Sequence, residues 1–414
     1  MASSHEIPVQ PRILVVGPFM HRQGHFAIFP TDLARGFSAN GAVVTLIYPF
    51  EAATTPVIPV QCQTICLENE KGKFNHLMAL SWNILKGYPI LLCLAWIIFH
   101  VRNEAYDLVY WTDFKSDNQQ SMWPLGLASL VGLYRHRTAF TEHHDFSWNR
   151  HRWQRLFRLD RIRLRNIEMF VHSRKLLAWV RLNMNWQNKG YFLPWGLWPD
   201  SASNEDRKAT RNNLGISDGA RVLLIFGLQA VRRKEIDTLA KAIRTMNLDR
   251  PLVLLFAGMK VKDEPHPFEQ PELTTKDNLH IYHHESFIPD ESVKSYFAVA
   301  DAVWAYYGSF IGASGVLAQA IAFGRLVICS GTGESGEICR KYPFGLVAPS
   351  DDLAGVQAVI SRFLAMPAAE QKTFEAATHE AAKEMAWPNI TRRILNIMLV
   401  HPKSKKHPAD TDNG

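Results

Sequence analysis

Two apolar runs in this chain end abruptly on glycine, and they narrow what it can fold into. The first is Ile13-Leu14-Val15-Val16-Gly17 and the second is Val222-Leu223-Leu224-Ile225-Phe226-Gly227. An apolar run without alternation is covered on both faces, the condition of a strand inside a parallel sheet. A closing glycine lets the backbone approach a ligand or the next helix, where a Cβ would intrude. Each run is followed by a turn and then a helix-like pattern. The expected fold class is therefore α/β, with two doubly wound Rossmann-like domains facing across a cleft. Ligands in such folds bind beyond the carboxyl ends of the strands.

The length of 414 residues exceeds what one core usually serves. The alternation of strand and helix patterns divides it as follows. Residues 1–10 are a polar, disordered N-terminus, and 11–198 form the first domain. Residues 199–386 form the second, 387–400 a last helix that crosses back to the first, and 401–414 a disordered tail. In the first domain the helix pattern after Gly17 closes at Asn40-Gly41, and residues 42–47 make the next strand. Residues 107–111, 137–141, 169–172 and 191–194 read as later strands. In the second domain strands are expected at 222–226, 252–257, 279–282, 302–305 and 326–329. Helices are expected at 235–246, 290–298, 315–323 and 353–364. Residues 201–212 are polar and carry no apolar period. The apolar stretch 75–101 is interrupted by Asn83, Lys86 and Pro89, too soon for the ~20 residues of a membrane span. It reads either as one or two buried helices or as a surface that dips into a bilayer.

Five cysteines (Cys62, Cys66, Cys93, Cys329, Cys339), few and odd in number, imply reduced thiols and a cytoplasmic setting rather than a disulfide framework. The formal charge of +7 is concentrated: residues 150–165 hold seven arginines and one acid, Asp160, which is +6. The strip includes Arg150, Arg152, Arg155 and Arg158, with Trp153, Leu156 and Phe157 between them. It suits an anionic membrane surface better than nucleic acid, for which no stacking motif is present. That implies a protein peripheral on the inner face of the membrane.

Chemistry concentrates at four places. After the strand at 302–305, small residues run to Ser314-Gly315 at the head of a helix, whose free N–H groups and dipole favour a diphosphate. Ser314 either caps that helix or binds an oxygen itself. Arg232-Arg233-Lys234 follows Gly227; three cations near a helix start oppose its dipole unless they serve an anion. Glu142-His143-His144-Asp145 follows a first-domain strand, and one of His143 and His144 could face a ligand. A second glycine-rich loop, residues 331–337, ends at Glu337 and could line the same cleft. There is no GxGxxG after either leading strand, no GxxxxGK[ST] and no GxSxG, so a Rossmann dinucleotide site, a P-loop and an α/β-hydrolase are poor fits.

Over residues 12–398 these features resemble the GT-B glycosyltransferases, in particular the large retaining group often called family 4. The resemblance rests on the loop with Gln23-Gly24-His25, the Thr141–Asp145 segment, Phe170-Val171-His172-Ser173, and Pro194-Trp195-Gly196. It continues through Gly227 with Lys234, Ala300-Asp301-Ala302, Gln319-Ala320 with Ala322 and Gly324, and Trp387. The resemblance implies transfer of a sugar from a nucleotide-diphosphate sugar, with retention and without a metal or other cofactor. It implies that Arg232, Arg233, Lys234, Ser314, Gly315, Gln319 and Glu337 hold the donor. His143 or His144 would orient the sugar, and Gln23, Gly24 and His25 would line the acceptor side. With the basic strip, the expected acceptor is a glycan or lipid-linked molecule of surface polysaccharide or glycolipid synthesis. The chain departs from the group where two glutamates eight positions apart usually stand: here they are Ile311 and Gln319. The departure leaves an alternative, a GT-B protein with reduced catalysis that serves as a binding or scaffold partner.

Overall fold

The structure, a computed structural model, describes residues 10–22, 25–74, 76–101, 105–112, 125, 127–129, 131–142, 167–183, 190–200, 204–308, 312–349 and 352–400. The chain divides into two compact units, Met1–Pro194 with Trp387–Gly414, and Trp195–Ala386.

The first unit is a parallel seven-stranded sheet. Its strands are β1 (Arg12–Val16), β2 (Val43–Tyr48), β3 (Gln63–Cys66), β4 (Leu108–Trp111), β5 (Thr138–Glu142), β6 (Ile167–Val171) and β7 (Gly190–Phe192). They lie in the order β3-β2-β1-β4-β5-β6-β7. The order reverses at β1, where Ile13 pairs with Val44 on one side and Leu108 on the other. Ile13, Leu14, Val15 and Val16 are fully buried, as an apolar run without alternation requires. Gly17 serves close packing: a Cβ there would lie 2.7 Å from Met20 Sδ and 3.2 Å from Pro30 Cβ.

Helix α1 (His25–Ala39) follows β1 and ends where Gly41 takes φ 80°. The apolar stretch 75–101 forms two helices, α2 (His76–Leu85) and α3 (Pro89–His100). Met78, Trp82, Ile90, Cys93 and Ile97 are buried, whereas Leu80, Ile84 and Tyr88 are exposed. Among the described residues no helix is long and apolar enough to cross a membrane. Helix α4 (Arg174–Asn183) packs between β6 and β7 in sequence.

The second unit is a parallel six-stranded sheet in the order β10-β9-β8-β11-β12-β13. Its strands are β8 (Arg221–Phe226), β9 (Leu252–Ala257), β10 (Leu279–His284), β11 (Ala302–Ala305), β12 (Leu326–Ser330) and β13 (Gly345–Ala348). The helices are α5 (Asn204–Asn213), α6 (Ile236–Thr245), α7 (Asp290–Val299), α8 (Gly315–Ala322), α9 (Gly333–Lys341), α10 (Leu353–Ala365) and α11 (Ala368–Glu384). Leu223 and Ile225 of β8 point to one face with Leu254 and Phe256 of β9, while Val222 and Leu224 point to the other with Val253 and Leu255. Burying each such side chain contributes about 1.5–3 kcal/mol.

Two expectations change. The glycine-rich stretch 331–337 is the first half of α9 rather than a loop. A Cβ at Gly336 would lie 2.5 Å from the Gly331 backbone, so that glycine serves the approach of the helix to its own turn. The polar stretch 201–212 lies largely in α5, which is anchored by charge. Arg207 and Arg211 reach Asp301 at 2.5 and 3.0 Å, with Arg221 at 3.6 Å.

The last helix, α12 (Trp387–Leu395), belongs to the first unit and lies on α1. Asn40 Nδ2 donates to the Pro388 carbonyl (2.7 Å) and to Thr391 Oγ1 (2.9 Å). Phe29 and Trp387 meet edge to face at 5.1 Å. A Cβ at Gly36 would lie 2.8 Å from Thr391 Cγ2, so the two helices cross at close range.

Candidate functional site

The carboxyl ends of β8 and β11 meet the heads of α6 and α8. Gly227 ends β8 with φ 81°, a left-handed turn that glycine makes without strain. A Cβ at Gly227 would stand 3.9 Å from both Lys234 Nζ and Val316 Cγ2, so Lys234 and the first turn of α8 converge on this one residue. Lys234 is buried, and its ammonium donates to the Phe226 carbonyl. An ammonium has three protons, so two remain for other acceptors. Burial, and after it the Arg233 charge, lowers the Lys234 pKa to about 7. The cation is held beside a second cation, an arrangement that an anion would relieve.

Arg233 is exposed, its guanidinium 6.0 Å from the centre of the Tyr307 ring. Arg232 is exposed beside it. The Tyr307 hydroxyl pairs with Ser314 Oγ at 2.8 Å, and Ser314 Oγ accepts from the Leu317 N–H at 3.2 Å. Ser314 is thus the N-cap of α8, the first of its two expected roles. Among the described residues no hydrogen bond engages the N–H of Gly315 or Val316. Gly315 is exposed, and a Cβ there would meet nothing within 4 Å. Two helix N–H groups therefore face open space, with the dipole of α8 behind them. Gln319 stands four residues on, on the same face of α8, and is partly buried.

A third convergence, unseen in the sequence, lies at Gly308. Glu235 is buried with φ 47°, and a Cβ at Gly308 would overlap its carboxylate oxygen. Thr332 Oγ1 donates to the Gly308 carbonyl at 3.0 Å, and Ser330 Oγ to the Tyr307 carbonyl at 2.6 Å. These bonds tie the turn before α9 to the end of β11. Glu337, partly buried, follows in the second turn of α9.

The structure thus brings Arg233, Lys234, Ser314 and Gly315 into one neighbourhood, with Arg232 and Gln319 at its margin. It places Asp301 elsewhere: its carboxylate lies at the start of β11, the opposite end from the site, among three arginines and the Val222 N–H. His143, His144, Gln23, Gly24, Arg150, Arg152, Arg155, Arg158 and Ile311 lie outside the described residues. His25 begins α1, and only its backbone is described.

No family model matches the chain, and no curated protein matches it. Solved structures do. Sucrose-phosphate synthase from Thermosynechococcus elongatus is 18% identical over 93% of this chain and 97% of its own, with a TM-score of 0.63. HepE from Anabaena, solved with UDP and glucose, is 15% identical over 93% of this chain and 98% of its own, with a TM-score of 0.64. The chain has the GT-B fold. WaaG, a glycosyltransferase involved in lipopolysaccharide biosynthesis, shares that GT-B architecture at 16% identity. It matches over 94% of this chain and 99% of its own, with a TM-score of 0.57. The GT-B frame assigns both Rossmann-like units of this chain, β1 to β7 and β8 to β13, and makes the carboxyl ends of β8 and β11 the place to look for a ligand.

Proposed function

We propose that the chain is a glycosyltransferase that moves a sugar from a nucleotide-diphosphate sugar to a glycan or lipid-linked acceptor. One observation carries the reading: Lys234, Gly227 and the open head of α8 converge at the strand ends of a GT-B domain. In this reading the diphosphate lies against the Gly315 and Val316 N–H groups. Lys234 and Arg233 neutralise the charge that grows as the anomeric C–O bond to the diphosphate breaks. The acceptor hydroxyl forms the new bond and gives up its proton, and retention of configuration is part of the proposal. These fixed cations supply the charge that a metal ion otherwise would. The neighbour HepE, solved with UDP and glucose, makes uridine diphosphate the first probe. Uridine, guanosine, thymidine and adenosine diphosphates at 100 times their dissociation constant should stabilise the fold by about 2.7 kcal/mol for the matching base. A thermal-shift series in which none raises the midpoint removes the reading. A midpoint raised without turnover of any donor with glycan or lipid acceptors favours the binding or scaffold role.

We further propose that the first unit docks on an anionic membrane surface. Leu80, Ile84 and Tyr88 repeat every four residues and are 54%, 65% and 51% exposed. The sequence from Phe74 to Asn103 holds no carboxylate, and the arginine strip adds +6 nearby in the chain. An apolar stripe with cations fits lipid headgroups, each cation near the surface adding ~1 kcal/mol. Co-sedimentation with phosphatidylglycerol vesicles should exceed that with phosphatidylcholine. Leu80→Asp with Ile84→Asp should weaken it at least about tenfold. Equal binding to both vesicles, or no effect of the pair, counts against this surface.

A further inference from the structure

We infer that Glu235 holds hydroxyl groups of the transferred sugar and so sets the preference for a sugar-bearing nucleotide over the bare diphosphate. The inference rests on the proposed nucleotide-sugar reading and adds the residue that reads the sugar. Glu235 is only 7% exposed, although a carboxylate removed from water is costly unless hydrogen-bond donors surround it. Its backbone sits at φ 47°, ψ 42°, where a residue with a Cβ is strained and glycine is not. A charged residue in a position better suited to glycine marks a side chain kept for what it touches. What it touches is the strand end: its carboxylate oxygen occupies the place where a Cβ of Gly308 would stand. That places an acceptor one residue after Lys234, beside the Tyr307–Thr332 junction.

The chemistry complements that of the cations. Lys234, Arg233 and the α8 N–H groups are donors only, and donors recognise a diphosphate. A pyranose presents O–H groups, and a carboxylate accepts two of them at once. Next to the diphosphate the same carboxylate is a like charge, so it weakens binding of a nucleotide that carries no sugar. Glu235 therefore has opposite effects on the two ligands, which a residue that merely shapes the turn would not.

The test uses the full chain and the matched pair UDP and UDP-glucose, or the equivalent pair for whichever base the thermal-shift series selects. Titration calorimetry gives both dissociation constants for the wild type, Glu235→Gln and Glu235→Gly. Glutamine keeps the shape, and glycine suits the positive φ, so one variant covers a folding defect in the other. The expected result is that the preference for the sugar nucleotide falls at least about tenfold in both variants. UDP binding should hold or tighten. An unchanged preference with UDP binding intact overturns the role of Glu235 and leaves the nucleotide-sugar reading standing. A wild type that binds no member of any pair overturns both.

Discussion

Replacing Lys234 with methionine is expected to weaken nucleoside-diphosphate binding by about 10- to 100-fold, the value of a charge-assisted hydrogen bond. Sugar transfer should fall further, because the leaving diphosphate gains charge in the transition state and needs the ammonium most there. Methionine fills the same slot without a charge, so the fold should persist. Methionine even removes a liability. The Lys234 pKa is about 7 in the folded chain, against 10.5 for an ordinary lysine. Between those two values the unfolded chain carries a proton that the folded chain lacks. Stability from this site is therefore complete above pH 10.5 and is lost as pH falls toward 7. The methionine variant should lose that slope.

Ligand binding should show the opposite dependence. A diphosphate beside Lys234 favours the ammonium, so binding above pH 7 takes up a proton. Affinity should fall by up to about tenfold per pH unit above that point, and only while Lys234 is present. Calorimetry in buffers of different ionisation enthalpy counts the proton directly. A methionine variant with wild-type affinity and the wild-type pH profile would remove Lys234 from the site.

The second large effect concerns stability alone. Asp301→Asn should destabilise the second unit by about 3–5 kcal/mol. The carboxylate accepts from Arg207 (2.5 Å), Arg211 (3.0 Å) and the Val222 N–H (2.8 Å), with Arg221 at 3.6 Å. Asparagine keeps the shape and leaves three guanidinium groups facing one another without a counter-charge. Denaturant unfolding should show the loss, while the diphosphate dissociation constant of the folded fraction stays unchanged, because Asp301 lies at the far end of β11 from Ser314. An unchanged midpoint would mean the arginines are neutralised elsewhere.

The parts legible in the sequence are those fixed by apolar periodicity. Runs such as Leu252–Ala257 are buried along their whole length, and nothing but a central strand reads that way. Helix α5 was not legible, because Arg207 and Arg211 attach it through charge to a residue ninety positions away, and charge pairing leaves no period. Helix α9 was masked by Gly331, Gly333 and Gly336, which together look like a phosphate loop. β13 is four residues long and β3 is largely exposed, so neither carries an apolar run. At the site, the Arg232–Lys234 cluster and the small residues before α8 stood out as chemistry out of place. Glu235 did not, since it reads as the end of a charged run. Only its backbone angle and the missing Cβ of Gly308 set it apart.

The seat of α12 on α1 has a consequence for how the chain is made. The second unit is inserted within the first, so Phe29 and Asn40 wait for partners, Trp387 and Thr391, that leave the ribosome nearly last. Until then a nascent chain can complete its interior segment but not its outer one. The N-terminal lobe matures only after synthesis has all but finished.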